Sequence, residues 1–152
     1  MAATLTTGLL AGLLFAYACS VMPGLRRTGD RTLVEVMQHI NRAIMNGWFL
    51  AVLLGSALTT SLAVLLQLPG DASPALLPAV AALVLLLAAI GVTGAVNVPL
   101  NNALEAAGPP GRITDPAAVR AQFERPWVRA NLVRTVLCTA SLGCLGWALA
   151  VH

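Results

Sequence analysis

The sequence predicts an all-α fold, a four-helix transmembrane bundle with an interfacial helix in the 3–4 connection. Two observations predict it. All nine basic residues are arginines, and all fall in two short stretches, Arg26 to Arg42 and Arg112 to Arg134. Outside those stretches only Asp71 and Glu105 carry charge, so segments 1–25, 43–70, 72–104 and 135–152 hold no charged side chain. A hydrocarbon core about 30 Å thick takes roughly 20 apolar residues at 1.5 Å rise each. Four spans fit, over 4–22, 45–66, 74–98 and 127–149, within a single domain of 152 residues.

Composition argues against a soluble domain. The chain is 58% hydrophobic, with a mean hydropathy of +0.82 and 10% charged residues. A soluble domain averages about 25% charged residues, a surface this chain does not supply. The net charge of +3 does not point to nucleic acid. The arginines flank apolar spans without interleaved aromatics, so they read as topology signals and contacts to anionic membrane lipid. Cys19, Cys138 and Cys144 lie inside spans without a Cys-x-x-Cys pair, as small packing residues do.

Each element follows from local signals. The first span runs from Thr4 to Met22. No positive residue precedes Arg26 and the run outlasts a signal-peptide core, so a mature helix is expected. Gly8 and Gly12 form a G-x-x-x-G that lets a neighbouring helix approach. Pro23-Gly24 ends this helix. Thr32 and Glu35 match a capping box, and Leu33, Val34, Met37, Ile40 and Ile44 recur at helical spacing. The second helix therefore begins in the interface, bends at Asn46-Gly47 and continues to Leu66, and Pro69-Gly70-Asp71 makes the far turn.

The third span runs from Pro74 to Val98, where Pro99 interrupts it. Gly108-Pro109-Pro110-Gly111 breaks the chain, and Asp115 with Pro116 starts a short interfacial helix. Pro126 is expected to kink that helix before the fourth span, Trp127 to Leu149. The inner (plasma) membrane is the expected location, and the positive-inside rule puts both termini outside and the arginine-rich connections in the cytoplasm.

Three polar stripes converge on that face. Glu35, His39, Arg42 and Asn46 share helical spacing, as do Asn97 and Asn101, and as do Trp127, Asn131, Arg134, Cys138 and Ser141. An amide or guanidinium facing lipid costs several kcal/mol, so the stripes are expected to turn inward around a polar-ended pocket. Taken singly, each has a plainer explanation. An Asn cross-links helices at about 0.6 kcal/mol, an interfacial Arg snorkels, and a lone His is commonly a packing residue. Three coordinated stripes favour a binding or catalytic site. With only His39 and His152 in the chain, a multi-histidine metal site or bis-histidine haem is not expected.

Four segments carry a family resemblance: Val21-Met-Pro-Gly-Leu25, Met37-Gln-His-Ile-Asn-Arg-Ala-Ile-Met-Asn46, Asn97-Val-Pro-Leu-Asn101 and Trp127-Val-Arg-Ala-Asn-Leu-Val-Arg-Thr135. In that order, over nearly the whole chain, they resemble the anthrone oxygenase-like family of small four-helix membrane proteins. Characterised relatives oxidise an anthrone to the anthraquinone with molecular oxygen and no added cofactor. The resemblance marks Asn41, Arg42, Asn46, Asn97, Asn101, Trp127, Asn131 and Arg134 as the family's polar positions. Two departures stand in the last segment, where relatives commonly read Trp-x-x-Trp-Asn-His-x-Arg-Thr. Here Ala130 replaces the second Trp and Leu132 replaces the His. Conversely, His39 stands where relatives are usually small or apolar.

The resemblance implies a cofactor-independent oxygenase acting on an anthrone-like polyketide or related phenol, an apolar aromatic small molecule. Loss of its benzylic proton gives an aromatic anion that passes an electron to oxygen, so the protein supplies a base, an anion clamp and a dry pocket. His39 is the candidate base, and Arg42 and Arg134 are the candidate clamp. Asn41, Asn46, Asn97, Asn101 and Asn131 are candidate ligands for the substrate oxygens, and Trp127 for its rings. Two readings stand beside it. One is a non-catalytic accessory subunit of a larger enzyme or transporter, supported by the G-x-x-x-G helix and the lost motif histidine. The other is a redox protein using quinone, haem or metal. A transporter is disfavoured, because four helices without an internal repeat fall short of the usual design unless copies form a homo-oligomer.

Overall fold

The protein is described here from a computed structural model covering residues 1–68 and 73–151. The turn at Pro69-Gly70-Asp71 and His152 lie outside the described residues. Among the described residues five longer helices make up the fold: α1 (Ala2–Leu25), α2 (Asp30–Ile44), α3 (Gly47–Leu65), α4 (Leu76–Ala106) and α5 (Pro116–Ala150). All but α2 are long and apolar enough to cross a membrane, and the chain is a multi-pass membrane protein.

The bundle inverts the soluble pattern. Leu5, Leu9, Leu58, Leu77, Val84 and Val136 are exposed, while small and hydroxylated side chains share the interior with Leu10, Leu14, Leu86 and Leu145. Ala82, Ala89, Thr7, Ser56, Thr60 and Ser141 are all buried. Lipid tails are as apolar as leucine, so helices associate through close packing and interhelical hydrogen bonds. The Ser141 hydroxyl donates to the Ala82 carbonyl at 2.8 Å, and the Thr6 and Thr59 hydroxyls meet at 3.1 Å. Gly8 sits against α5, where an added Cβ would lie 3.7 Å from Leu142; Gly12 faces open space. Only the first glycine of the G-x-x-x-G therefore serves a helix contact within the chain.

The bend expected at Asn46-Gly47 is a full break. α2 ends at Ile44, and the Asn46 side chain caps α3 by accepting from the Phe49 N–H at 3.0 Å. The 3–4 connection differs from expectation. Asp115 caps a helix by accepting from Ala118 N–H at 3.0 Å, with Pro116 at its first turn, but that helix continues through Pro126 to Ala150. The expected interfacial helix is the first turns of α5. At 35 residues α5 is roughly 50 Å long, longer than a hydrocarbon core of about 30 Å, and its first turns pack against α2 at the bundle end. The short separate helix at that end is instead α2.

That end has its own core, in which Leu33, Val34 and Met37 of α2 pack with Met22, Leu104, Phe123 and Trp127. Polar staples fix it. Gln38, buried, donates to the carbonyls of Leu104 at 2.8 Å and Gly108 at 3.1 Å. Gly108 has φ +85°, the left-handed conformation that glycine adopts just past a helix end. Arg31 donates to the carbonyls of Pro110 and, at 3.1 Å, Ile113. Arg120 donates to Glu124 at 2.6 Å, to Asp30 at 2.9 Å and to the Thr28 and Arg26 carbonyls at 3.0 Å, while Arg26 reaches Glu124 at 3.0 Å.

Two wider, π-helical turns lie inside α1 and α4, over Tyr17–Val21 and Thr93–Asn97. Each precedes a proline. Pro23 and Pro99 have no N–H for the carbonyls of Cys19 and Ala95 four residues back, and the widened turn accommodates that loss.

Candidate functional site

A cavity of about 110 Å³ lies beside both π-helical turns, between the core of the arginine-rich end and the rest of the bundle. Its apolar walls include Leu13, Leu14, Ile40, Ile44, Met45 and Phe49. Its polar walls are Tyr17 from α1, Asn41 from α2, Thr93, Asn97 and Asn101 from α4, and Trp127, Asn131 and Arg134 from α5. Larger clefts, of about 610 and 460 Å³, open at the arginine-rich end. The first is lined by the mutually paired Arg26, Asp30, Arg120 and Glu124, and the second mainly by apolar side chains.

The α5 residues reach the cavity because Trp127, Asn131 and Arg134 recur at four and three residues on one face. All three are buried, with Cys138 and Ser141 continuing the stripe. Asn131 donates to the Leu14 carbonyl at 3.0 Å and accepts from Arg134 Nη2 at 2.8 Å, tying α1 to α5. Arg134 Nη1 donates to the Thr93 hydroxyl at 3.3 Å, and the guanidinium carbon lies 5.8 Å from the Trp127 ring centroid. The Trp127 indole N–H donates to Asn101 Oδ1 at 2.8 Å, and Asn97 Nδ2 donates to the Trp127 carbonyl at 3.4 Å. The rings of Tyr17 and Phe123 flank Trp127 at 5.7 and 6.0 Å.

Two features set this cluster apart. The first is charge. Arg134 is only 8% exposed, and its hydrogen bonds go to neutral groups. Among the described residues, the ion pairs join Arg26, Arg42 and Arg120 to Glu124, Glu105 and Asp30, and none involves Arg134. A buried cation without a counter-charge is costly unless an anion completes it. The second is unspent hydrogen-bonding capacity. Arg134 Nε, Asn41 Nδ2 and Asn97 Oδ1 are buried without partners, and all three residues line the cavity. Native proteins satisfy most such atoms, so three around one cavity point to a polar ligand.

The α2 stripe goes the other way. Glu35, His39, Arg42 and Asn46 are exposed, and none lines the cavity. Arg42 pairs with Glu105, Nε to Oε1 at 2.7 Å, and Asn46 serves as a cap. The reason is one of phase. Leu33, Val34, Met37, Gln38 and Asn41 occupy the adjoining face, and burying three apolar side chains outweighs turning four polar ones inward. His39 therefore has no place at the cavity as a base. Leu132 is 55% exposed and does not line the cavity either. Sequence reasoning missed Tyr17, Thr93 and Phe49 as lining residues and Gln38 as a staple. A lone tyrosine inside an uncharged span was the one available signal.

Among the described residues, no three His, Cys, Asp or Glu side chains come together as a metal-holding group. The architecture defines a class: a small multi-pass helical membrane protein with a cation-bearing cavity at the arginine-rich end of its bundle. Within that class, residues 40–144 match the anthrone oxygenase family, and the chain belongs to it. No curated protein and no solved structure matches the chain. The family match starts one residue after His39 and contains every polar cavity residue except Tyr17.

Proposed function

We propose that this protein is a cofactor-independent oxygenase that binds the anion of an anthrone-like phenolic compound and lets it react with dioxygen. The observation that carries the reading is Arg134, a buried guanidinium with no acidic partner, flanked by unpartnered amide atoms of Asn41 and Asn97. Such a group favours an enolate or phenolate over its neutral acid, and in a dry site the preference is large. Because His39 lies outside the cavity, Arg134 takes over much of the work expected of a base, by making the substrate more acidic when bound. Asn41 Nδ2 donates to a second substrate oxygen, and Asn97 Oδ1 accepts from a phenol O–H. Trp127 lies along the rings.

The reaction balances without further reagents. The substrate's CH2 loses both hydrogens and gains one oxygen as a carbonyl, and the second oxygen leaves as water. A cavity of about 110 Å³ is smaller than the roughly 300–1,000 Å³ of drug-sized pockets, so a tricyclic substrate needs it to widen. The break between α2 and α3 is the natural place, since Met45 lines the cavity there and is 65% exposed. In the same reading the arginine-rich end faces the cytoplasm across the inner membrane, with both termini outside.

The test is to incubate purified protein with an anthrone and follow quinone absorbance together with oxygen uptake. Turnover at one quinone per O2, lost in Arg134→Met, supports the reading. A rate equal to that of Arg134→Met removes it.

A further inference from the structure

We propose that a second, smaller chamber behind Arg134 is the dioxygen site, so that the guanidinium stands between the organic substrate and O2. This rests on the oxygenase reading and adds to it a place for the second reactant. The chamber measures about 20 Å³ and shares Leu14, Phe49, Thr93 and Arg134 with the larger cavity. Its remaining walls are the apolar Leu10, Leu53, Ala89 and Ile90 and the thiol-bearing Cys138.

Size and chemistry select the occupant. A single small molecule fits, since one water needs about 10–15 Å³ of such space. Water also needs two to four polar partners, and the chamber offers few. The Thr93 hydroxyl already donates to the Ala89 carbonyl at 2.9 Å and accepts from Arg134 at 3.3 Å. An apolar diatomic needs no partner, and larger, wholly apolar cavities stay dry and take up xenon. The supply route is also apolar. Leu53 of α3 and Ile90 of α4 are only half-buried, so this wall adjoins the surrounding hydrocarbon, in which dioxygen dissolves better than in water.

The placement gives Arg134 two successive anions to hold. The substrate anion in the larger cavity passes one electron to O2, which leaves a substrate radical and superoxide beside the guanidinium. The two radicals couple through a new C–O bond, and the peroxide takes up a proton. Loss of the second C–H proton with cleavage of the O–O bond then yields the carbonyl and hydroxide, which is protonated to water. Negative charge moves from the enolate oxygen to dioxygen across one cation, which needs no reorganisation during the transfer.

Xenon is the probe for the chamber. Crystals of the full chain pressurised with xenon are expected to show one anomalous peak between Ala89, Ile90 and Arg134, absent in Ala89→Leu. In steady-state assays Ala89→Leu is expected to raise the KM for O2 about tenfold while leaving the KM for the anthrone unchanged. Ala89 is tightly packed, so Ile90→Phe, which narrows the chamber from its half-buried side, is the companion variant with the same expected split. An empty chamber under xenon, an ordered water in its place, or an unchanged KM for O2 in both variants overturns the proposal. A xenon peak in a protein that turns over no anthrone removes the oxygenase reading and leaves the gas site standing. Turnover without a xenon peak removes the gas site alone.

Discussion

The polar stripes of α2 and α5 have nearly the same spacing and opposite fates. On α5, Trp127, Asn131 and Arg134 are buried around the cavity; on α2, Glu35, His39, Arg42 and Asn46 face outward. The difference lies in what each helix has for solvent. α5 carries Leu132, Val133 and Val136 on its other side, 55, 48 and 59% exposed, and lipid receives such residues without cost. Its polar atoms then find partners only inside the bundle. α2 packs at the bundle end, where Glu35 is exposed and Arg42 pairs with Glu105. Its Leu33, Val34 and Met37 are the groups that must be hidden. Spacing tells which residues share a face, and the surrounding medium tells which way the face turns.

The two arginines test this contrast most severely. Arg134→Met is expected to lower kcat by about 10²–10³-fold, the usual loss for a donor to a developing oxyanion. Arg42→Met is expected to stay within about twofold, because its exposed pair with Glu105 contributes little. Thermal denaturation should move the other way. Removing an uncompensated buried charge leaves stability unchanged or raises it by about 1–3 kcal/mol, so Arg134→Met should melt no lower than the parent. Equal kinetic losses in the two variants would mean that the outward stripe also meets the substrate, and the contrast would fail.

Much of the fold was legible. Charge-free runs located the four spans, and Asn46 and Asp115 were both readable as turn or cap residues. What escaped has physical reasons. The chain passes through Pro126 because the carbonyl deprived of a donor belongs to Gln122, an exposed residue that water reaches. For the site, Arg134, Asn97 and Asn131 were visible as polar residues with nowhere to go in lipid. Gln38 was not, because its neighbours are apolar and its partners are main-chain carbonyls 66 and 70 residues away. No pattern within one helix reports a bond to another segment's backbone.

Gln38 gives the next largest effect and sharpens the account of why α2 keeps its phase. Gln38→Ala removes donors from the Leu104 and Gly108 carbonyls in a buried setting, a loss of about 2–3 kcal/mol. Chemical denaturation of the detergent-solubilised protein should show that loss. An unchanged midpoint would mean that Leu33, Val34 and Met37 hold α2 unaided.

His39 should do little. His39→Gln is expected to leave kcat within about twofold and the pH–rate profile unchanged. Loss of a limb in the neutral range would identify His39 as the base after all, and would require α2 to turn or open during the reaction cycle.

The smallest effect is expected at Leu132, and it isolates the geometry from the chemistry. The family resemblance leads one to expect a histidine here, next to the buried Asn131, and sequence alone suggests that its loss disarms the site. In the structure one residue of helix rotates the side chain by about 100°, so Asn131 is 1% exposed and Leu132 is 55% exposed. Leu132→His should therefore restore the motif without restoring any cavity contact. Quinone formation is expected to stay within about twofold. A tenfold gain in rate would show instead that the outward face of α5 borders a reacting group, as it would if a second copy of the chain packed against it.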